Sequence, residues 1–534
     1  MDAISKQVTE ERGREDRKAI YYPAESARGR ELREKVLAIG DLLAVIFVHC
    51  LPVMPTNEYP YPSPRHAPML VAHVCQYWRL VALSTPSLWS CFALENGFTN
   101  RLFRLWMKRS GAMPLSLSAD KDSLSFVLPL SSRWKNITFH LNSGCLPFLA
   151  SIKNKIPNLR RLFVKFSIHD YSSWTYNTYN ARPSSLPTFD AFENAPNLRE
   201  LSLECPSCYF TLPFLQLVDL SIFGAPGAQY VIRCCQQASN IASLAVTISA
   251  PPSVPSPIDP APCNLLHLKT LSAADCSTAN SSQLRPLLNN LNCPNLLDLE
   301  IGNTSNIKGS KVTTHLNIAV MNSLISFLGR SPLLTCLNIS IRHRFDDKLI
   351  DVLELCPNLE EFKVDRHVGT ISAAFCTQLT YHHEDCAAAV LCPCLRIFDV
   401  GHAHALESAS ALVEMVASRW NVVDGVLVAR LEKVVVNCDD EEGAEQLRQF
   451  GTDGLEVSLP EGKGDTTQMG VEKTAEAVSD SEEEEEEVRK VRKGAEHRAL
   501  VARLLADAHT NLQAALDQLP PELSRLMSLS REES

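Results

Sequence analysis

Near the N-terminus two short runs of apolar residues stand at helical spacing, and neither can hide its apolar surface alone. The first, IGDLLAVIFVHCLP from Ile39, carries Leu42, Leu43, Ile46, Phe47 and Cys50 at steps of three and four. The second, APMLVAHVCQYWRLVALSTPSLW as far as Trp89, continues the pattern with Leu70, Val74, Trp78 and Val81. A proline-rich gap, Pro52–Pro68, separates them. Units of about 40–60 residues bury too little surface to be robust alone. The pattern therefore predicts a small helical module that leans on the rest of the chain on one side and on a partner on the other. A third helix is expected over Asn100–Ser110, with Leu102, Leu105 and Trp106 on one side and Gly111 as its C-terminal cap. Pro114-Leu115-Ser116-Leu117-Ser118 then alternates like a strand.

From there to about Cys438 one motif recurs, Pro-Asn-Leu-x-x-Leu-x-Leu or a decayed copy of it. The clear copies are Pro157-Asn158-Leu159 with Leu162 and Val164, Pro196-Asn197-Leu198 with Leu201 and Leu203, Pro294-Asn295-Leu296 with Leu299 and Ile301, and Pro357-Asn358-Leu359 with Phe362 and Val364. Weaker copies begin at Pro213 (with Leu215, Val218 and Leu220), Pro332 and Pro393. Trp134-Ile137-Phe139, Ile241-Leu244-Val246, Leu268-Leu271 and Leu431-Val434-Val436 keep only the apolar positions. The x-Leu-x-Leu tail reads as a strand with one apolar side. Stretches between strands, such as Met321–Gly329 and Lys348–Leu355, carry helical spacing. Proline before the strand ends the preceding helix and needs no ladder donor there. A strand plus a helix at this period resembles leucine-rich repeats, and the expected class is α/β: a solenoid in which stacked neighbours supply the core. Tyr171–Pro187 and the proline-rich Ala250–Pro262 read as loops on it, open to recognition or to tolerated insertion.

The N-terminal module resembles the F-box, in the form common in fungal proteins. The matching residues are Asp41-Leu42-Leu43, Ile46 through Cys50, Val74-Cys75, Trp78, Leu83-Ser84-Thr85-Pro86 and Leu88-Trp89. The family's passage into the following domain, Arg-Ser-Gly-x-x-Pro-Leu-Ser-Leu, is matched from Arg109 to Leu117. The resemblance implies a substrate-recognition subunit of an SCF-type cullin-RING ubiquitin ligase. It would dock on a Skp-type adaptor, and through it on a cullin scaffold, by Leu42, Leu43, Ile46, Phe47, Val74, Cys75 and Trp78. Pro86, Leu88 and Trp89 would form or support the module's core, and the repeats would hold a target protein. Where the family has Leu-Pro at its start, this chain has Ala38-Ile39. That departure leaves a second reading open: a repeat scaffold for protein–protein interaction whose box has lost its adaptor.

Composition sharpens the division of the chain. The net charge of −10 is not spread evenly, because residues 439–487 hold 18 Asp and Glu against 3 Lys and Arg. The expected organisation is a charged leader over 1–35, the F-box and following helix over 36–110, the repeats over 111–438, an acidic disordered linker over 439–487 and a C-terminal helical tail over 488–534. In that tail Leu500, Leu504, Leu505, Leu512, Leu516 and Leu519 stand at helical spacing. There is no broad basic face for nucleic acid and no run of 18 apolar residues for a membrane. The polar N-terminus without an apolar core argues against secretion, so a cytoplasmic or nuclear place is expected, with the eighteen cysteines reduced.

Candidate chemistry is sparse. Cys376, His382, His383, Cys386, Cys392 and Cys394 fall within twenty residues and have the softness zinc needs. Yet Cys392-Pro393 occupies the register of Cys293-Pro294 and Cys356-Pro357, where a small buried residue at a helix end is the simpler account, so no metal or cofactor is expected. Cys205-x-x-Cys208 is a weaker candidate still. Neither a Gly-x-Ser-x-Gly elbow nor a phosphate loop occurs, and no enzyme is expected. Ser479-Asp480-Ser481 before Glu482–Glu487 suits an acidophilic kinase or is plain linker, and Arg489–Lys493 reads as a nuclear-import signal or a charged helix start.

Overall fold

The computed structural model describes residues 40–459, apart from 53–58, 95–99, 167–187, 205, 207–208, 250–261, 277–282, 303–317, 341–345, 366–369, 383–389, 402–404, 423–427 and 439. The charged leader, Ala38-Ile39, the Tyr171–Pro187 loop, nearly all of Ala250–Pro262, Cys205 and Cys208, His383 and Cys386, and everything from residue 460 onward, including the Ser479 region and the leucine-spaced tail, lie outside the described residues.

Three helices come first: α1 (Gly40–His49), α2 (Gln76–Ser84) and α3 (Asn100–Ser110). A mixed α/β body follows, built on an open parallel sheet of 14 strands whose order along the sheet is their order along the chain. The strands are β1 (Cys91–Leu94), β2 (Leu115–Asp120), β3 (Trp134–Leu141), β4 (Arg161–Phe166), β5 (Glu200–Glu204), β6 (Asp219–Ala225) and β7 (Ser243–Ile248), then β8 (Thr270–Asp275), β9 (Asp298–Ile301), β10 (Cys336–Ser340), β11 (Glu361–Asp365), β12 (Ile397–Val400), β13 (Lys433–Val436) and β14 (Glu456–Ser458). Short helices α4 (Leu124–Val127) and α5 (Leu146–Leu149) serve the first connections. Longer ones serve seven of the later connections: α6 (Ala228–Gln237), α7 (Leu284–Asn290), α8 (Ile318–Leu328), α9 (Asp346–Glu354), α10 (Ala373–Leu379), α11 (Ala409–Trp420) and α12 (Glu441–Thr452).

Alternation within each strand aligns the apolar positions across the whole sheet. Leu162, Leu201, Leu220, Leu244, Leu271, Leu299 and Leu337 are successive partners in register, continued by Phe362, Phe398 and Val434. All are buried, and they share one continuous core with the buried faces of the connecting helices. No single unit could bury such a row. Each strand is covered by its neighbours and, in most units, by a helix of its own connection.

The Asn of the motif has a specific task. Asn158 donates from Nδ2 to Ser132 O (2.8 Å), Asn197 to Pro157 O (2.7 Å), Asn240 to Leu215 O (2.7 Å), Asn295 to Leu266 O (2.8 Å) and Asn358 to Pro332 O (3.0 Å). In each case the acceptor is the carbonyl that the previous copy leaves exposed just ahead of its own strand. A primary amide supplies that donor and a carboxylate of the same shape cannot, which explains why Asn recurs beside an otherwise apolar motif.

Three expectations are corrected here. In the copy at Pro213, Leu215 is exposed and Leu217 takes the buried place, because a 3-10 turn over Phe214–Gln216 shifts the phase by two residues. The acidic segment does not begin as linker: residues 441–458 form α12 and β14, and β14 pairs with β13. Asp440 caps α12 through a bond from Gly443 N to Oδ2 (2.8 Å), and Glu441 and Glu442 in its first turn suit the positive end of the helix. Ala444, Leu447 and Leu455 are buried. A Cβ at Gly443 would lie 2.6 Å from Ala409 Cβ, so α12 packs on α11 closer than any side chain there would permit. The expected boundary at 110 also moves, since β1, within the helical module, is the first strand of the sheet.

Candidate functional site

The helical module is held to the sheet at several points. Trp89, wholly buried, donates from Nε1 to Ala82 O at the end of α2 (2.8 Å) and meets Trp106 of α3 edge-on at 4.9 Å. The Arg109 guanidinium lies over Trp89 at 4.2 Å. Past α3, Arg133 donates to Ser110 Oγ (2.9 Å) and Met113 O (2.9 Å). On the other side, the chain entering α2 crosses the edge strand, where Ala93 N donates to Pro60 O (3.0 Å) and so occupies a donor that an open edge would leave free. Tyr59, next to it, bonds the Thr138 side chain, and burial pushes its phenol up.

Within the module α1 crosses α2 closely. A Cβ on Gly40 would sit 3.4 Å from Tyr77 Oη, and the Phe47 and Trp78 rings are 4.9 Å apart. Cys75 caps α2, its Sγ accepting from Trp78 N (3.4 Å). These contacts divide the residues expected at an adaptor face. Leu42, Val74 and Cys75 are exposed, and Ile46 and Trp78 are half-buried. Leu43 and Phe47 are wholly buried, and this is a correction: they are the module's own core, and no partner could reach them without unfolding it. Leu88 and Trp89 are buried as expected of supporting residues, but Pro86 is exposed at the first position of the Pro86–Trp89 turn.

The exposed apolar residues run in two stripes. On α1 they are Leu42, Val45 and Val48; entering and along α2 they are Val74, Tyr77, Leu80 and Leu83. Val45, Val74 and Leu80 are each more than half exposed, at 54%, 58% and 63%. Val45, Tyr77 and Leu80 were missed by the sequence reading, and Val48 and Leu83 were matched to the family but not placed on the adaptor face, although each stands three residues from the next member of its stripe. Scattered exposed leucines are ordinary, but seven exposed apolar residues on and just before two packed helices are more than scatter, and apolar surface of that extent suits an interaction surface. Nothing on it is nucleophilic or acid–base chemistry; it can bury surface.

The cysteine and histidine cluster looks different in space. Cys376 and Cys392 are core residues. Cys392 Sγ lies 3.5 Å from Leu353 O and 3.7 Å from Cys356 O, and burial pushes its thiol up to about 12. His382 is exposed and Cys394 half-buried. No group of three or more potential ligands is assembled among the described residues, and no helix among them is long and apolar enough to cross a membrane.

No family model matches the chain, and no curated protein matches it either.

Proposed function

We propose that the α1–α2 module is an F-box and that the chain is the substrate-recognition subunit of an SCF-type cullin-RING ubiquitin ligase. The observation that carries this reading is the exposed apolar face of Leu42, Val45, Val48, Val74, Tyr77, Leu80 and Leu83, set on helices that are anchored from behind by Leu43, Phe47, Trp78 and Trp89. A Skp-type adaptor would cover that face by burying apolar surface, with a few large side chains dominating the affinity. Through the adaptor the chain would join a cullin scaffold.

The parallel sheet with strands in chain order, together with the asparagine ladder, supports reading residues 91–458 as an irregular leucine-rich-repeat-like solenoid that presents a target protein. The chain makes and breaks no bonds in this role. It raises the effective concentration of target lysines near the ubiquitin carrier, in the cytoplasm, the nucleus or both. The test is co-purification of the full chain with a Skp-type adaptor, compared with Val45→Asp and Leu80→Asp. Both substitutions fall on exposed positions and should leave the fold intact. Capture by the wild type and loss in both variants is the expected result. A folded wild type that captures no adaptor would leave the chain a repeat scaffold without a ligase.

A further inference from the structure

Just ahead of the strands, one residue per unit forms a continuous rim of the sheet, each backbone N–H donating to the carbonyl of the unit before. The rim runs Lys135, Arg160, Arg199, Val218, Ala242, Lys269, Leu297, Thr335, Glu360, Arg396 and Glu432. It is basic at one end and charged again at the other. Between them it carries the apolar Val218, Ala242 and Leu297, interrupted by the exposed Lys269 and by Thr335, and the turns beside it add apolar surface. Leu215 and Val218 ahead of β6, Leu266 ahead of β8, Leu297 ahead of β9 and Leu333 ahead of β10 are all exposed, Leu215 at 66% and Leu266 at 54%. The polar groups among them are not idle: Asn240 and Asn295 have their amide donors on Leu215 O and Leu266 O. Four strand spacings separate β6 from β10, a row of about 19 Å.

We infer that this row is covered by the chain's own C-terminal segment, residues 500–519, whose leucines at 500, 504, 505, 512, 516 and 519 repeat at helical spacing. As a helix, Leu500 to Leu519 would extend about 28 Å, enough to span the row of about 19 Å. The connecting residues 460–499 number 40, and a chain of that length, extended by its charges, has a root-mean-square span of about 35 Å or more. From β14 to β8, at the centre of the row, is six strand spacings, about 29 Å along the sheet. The apolar face of α1 and α2 adjoins β1, thirteen spacings or about 62 Å away. Intramolecular binding is strongest where the tether's natural span matches the distance, so reach selects the rim over the α1–α2 face. The inference stands independently of the adaptor reading.

Hydrogen exchange on the full chain tests it. Amides of 500–519 should be slowed about tenfold or more, independently of protein concentration. Leu266→Glu with Leu297→Glu, and separately Leu504→Asp with Leu512→Asp, should each abolish the slowing while the melting temperature of the sheet is unchanged. Unslowed exchange of 500–519 in the wild type would overturn the inference. So would slowing that survives the rim substitutions, which would place the segment elsewhere, or slowing that grows with concentration, which would assign the row to a second copy of the chain.

Discussion

Replacing Arg419 by methionine should unlock the C-terminal units of the sheet. Its side chain is wholly buried on α11, and its guanidinium donates to Leu379 O from Nε (2.6 Å), to Cys392 O from Nη1 (3.0 Å) and to Leu391 O from Nη2 (2.5 Å). No carboxylate among the described residues pairs with it. Burial pushes its acidity to about 10, so it stays charged at neutral pH. One cation thus ties the end of α10 and the turn before β12 to α11. In Arg419→Met, Cys392 O keeps a donor in Leu395 N (3.2 Å), but Leu379 O and Leu391 O lose theirs. The orphaned carbonyl of buried Leu379 costs about 1–3 kcal/mol and that of half-buried Leu391 less, and relief of the buried charge returns part of that. The net expectation is a loss of roughly 2 kcal/mol, and Arg419→Lys, with a single point donor, should recover only part. Urea unfolding gives the magnitude. Hydrogen exchange should place the loss in residues 373–436, because each unit contacts only its neighbours. An Arg419→Met protein within about 0.5 kcal/mol of wild type, or a loss spread evenly from β2 to β14, would refute the reasoning.

Asn197→Ala removes the 2.7 Å bond to Pro157 O and should cost about 1 kcal/mol in urea unfolding; Asn197→Asp, which sets an acceptor against that carbonyl, should cost at least as much. Leu43→Asp, at a fully buried position, should expose residues 40–94 to proteolysis, whereas Leu80→Asp should not; equal sensitivity of the two variants would contradict the division of the module into core and face. Cys234, Cys293, Cys356 and Cys392 have thiols pushed up by burial from 9.0 to about 12. The unfolded chain therefore sheds these protons first, so their contribution is whole below pH 9 and falls as pH rises through 9–12. At pH 10 the loss is on the order of 1 kcal/mol per thiol. Melting between pH 8 and 10 should show it, and Cys356→Ala should flatten it by one share. In native protein at pH 8 the exposed Cys75 should alkylate well before these four.

The strands were legible because a period of two leaves little choice: Leu162 and Val164 or Phe362 and Val364 can face the core only together. The Asn of the motif was visible as a recurrence, but its partner, a carbonyl of the preceding unit, exists only once two units stack. Leu215 misled because Pro213-Phe-Leu-Gln-Leu offers two leucines two residues apart, and only the turn geometry chooses Leu217. The acidic segment hid α12 and β14 because charge density says nothing about which few positions are buried; Leu447, Leu455 and the Asp440 cap decide that. On α1 nearly every position from Leu42 to Val48 is apolar, so periodicity cannot separate inside from outside. The packing of Phe47 on Trp78, and the Trp89 indole on the end of α2, make that separation.

The most direct measurement is a calorimetric titration of a Skp-type adaptor into the full chain, repeated with Leu80→Asp. Binding of one adaptor per chain, weakened about 30-fold or more by Leu80→Asp at an unchanged melting temperature, is what the proposed function predicts. No binding by the folded wild type, or binding indifferent to Leu80→Asp, would contradict it.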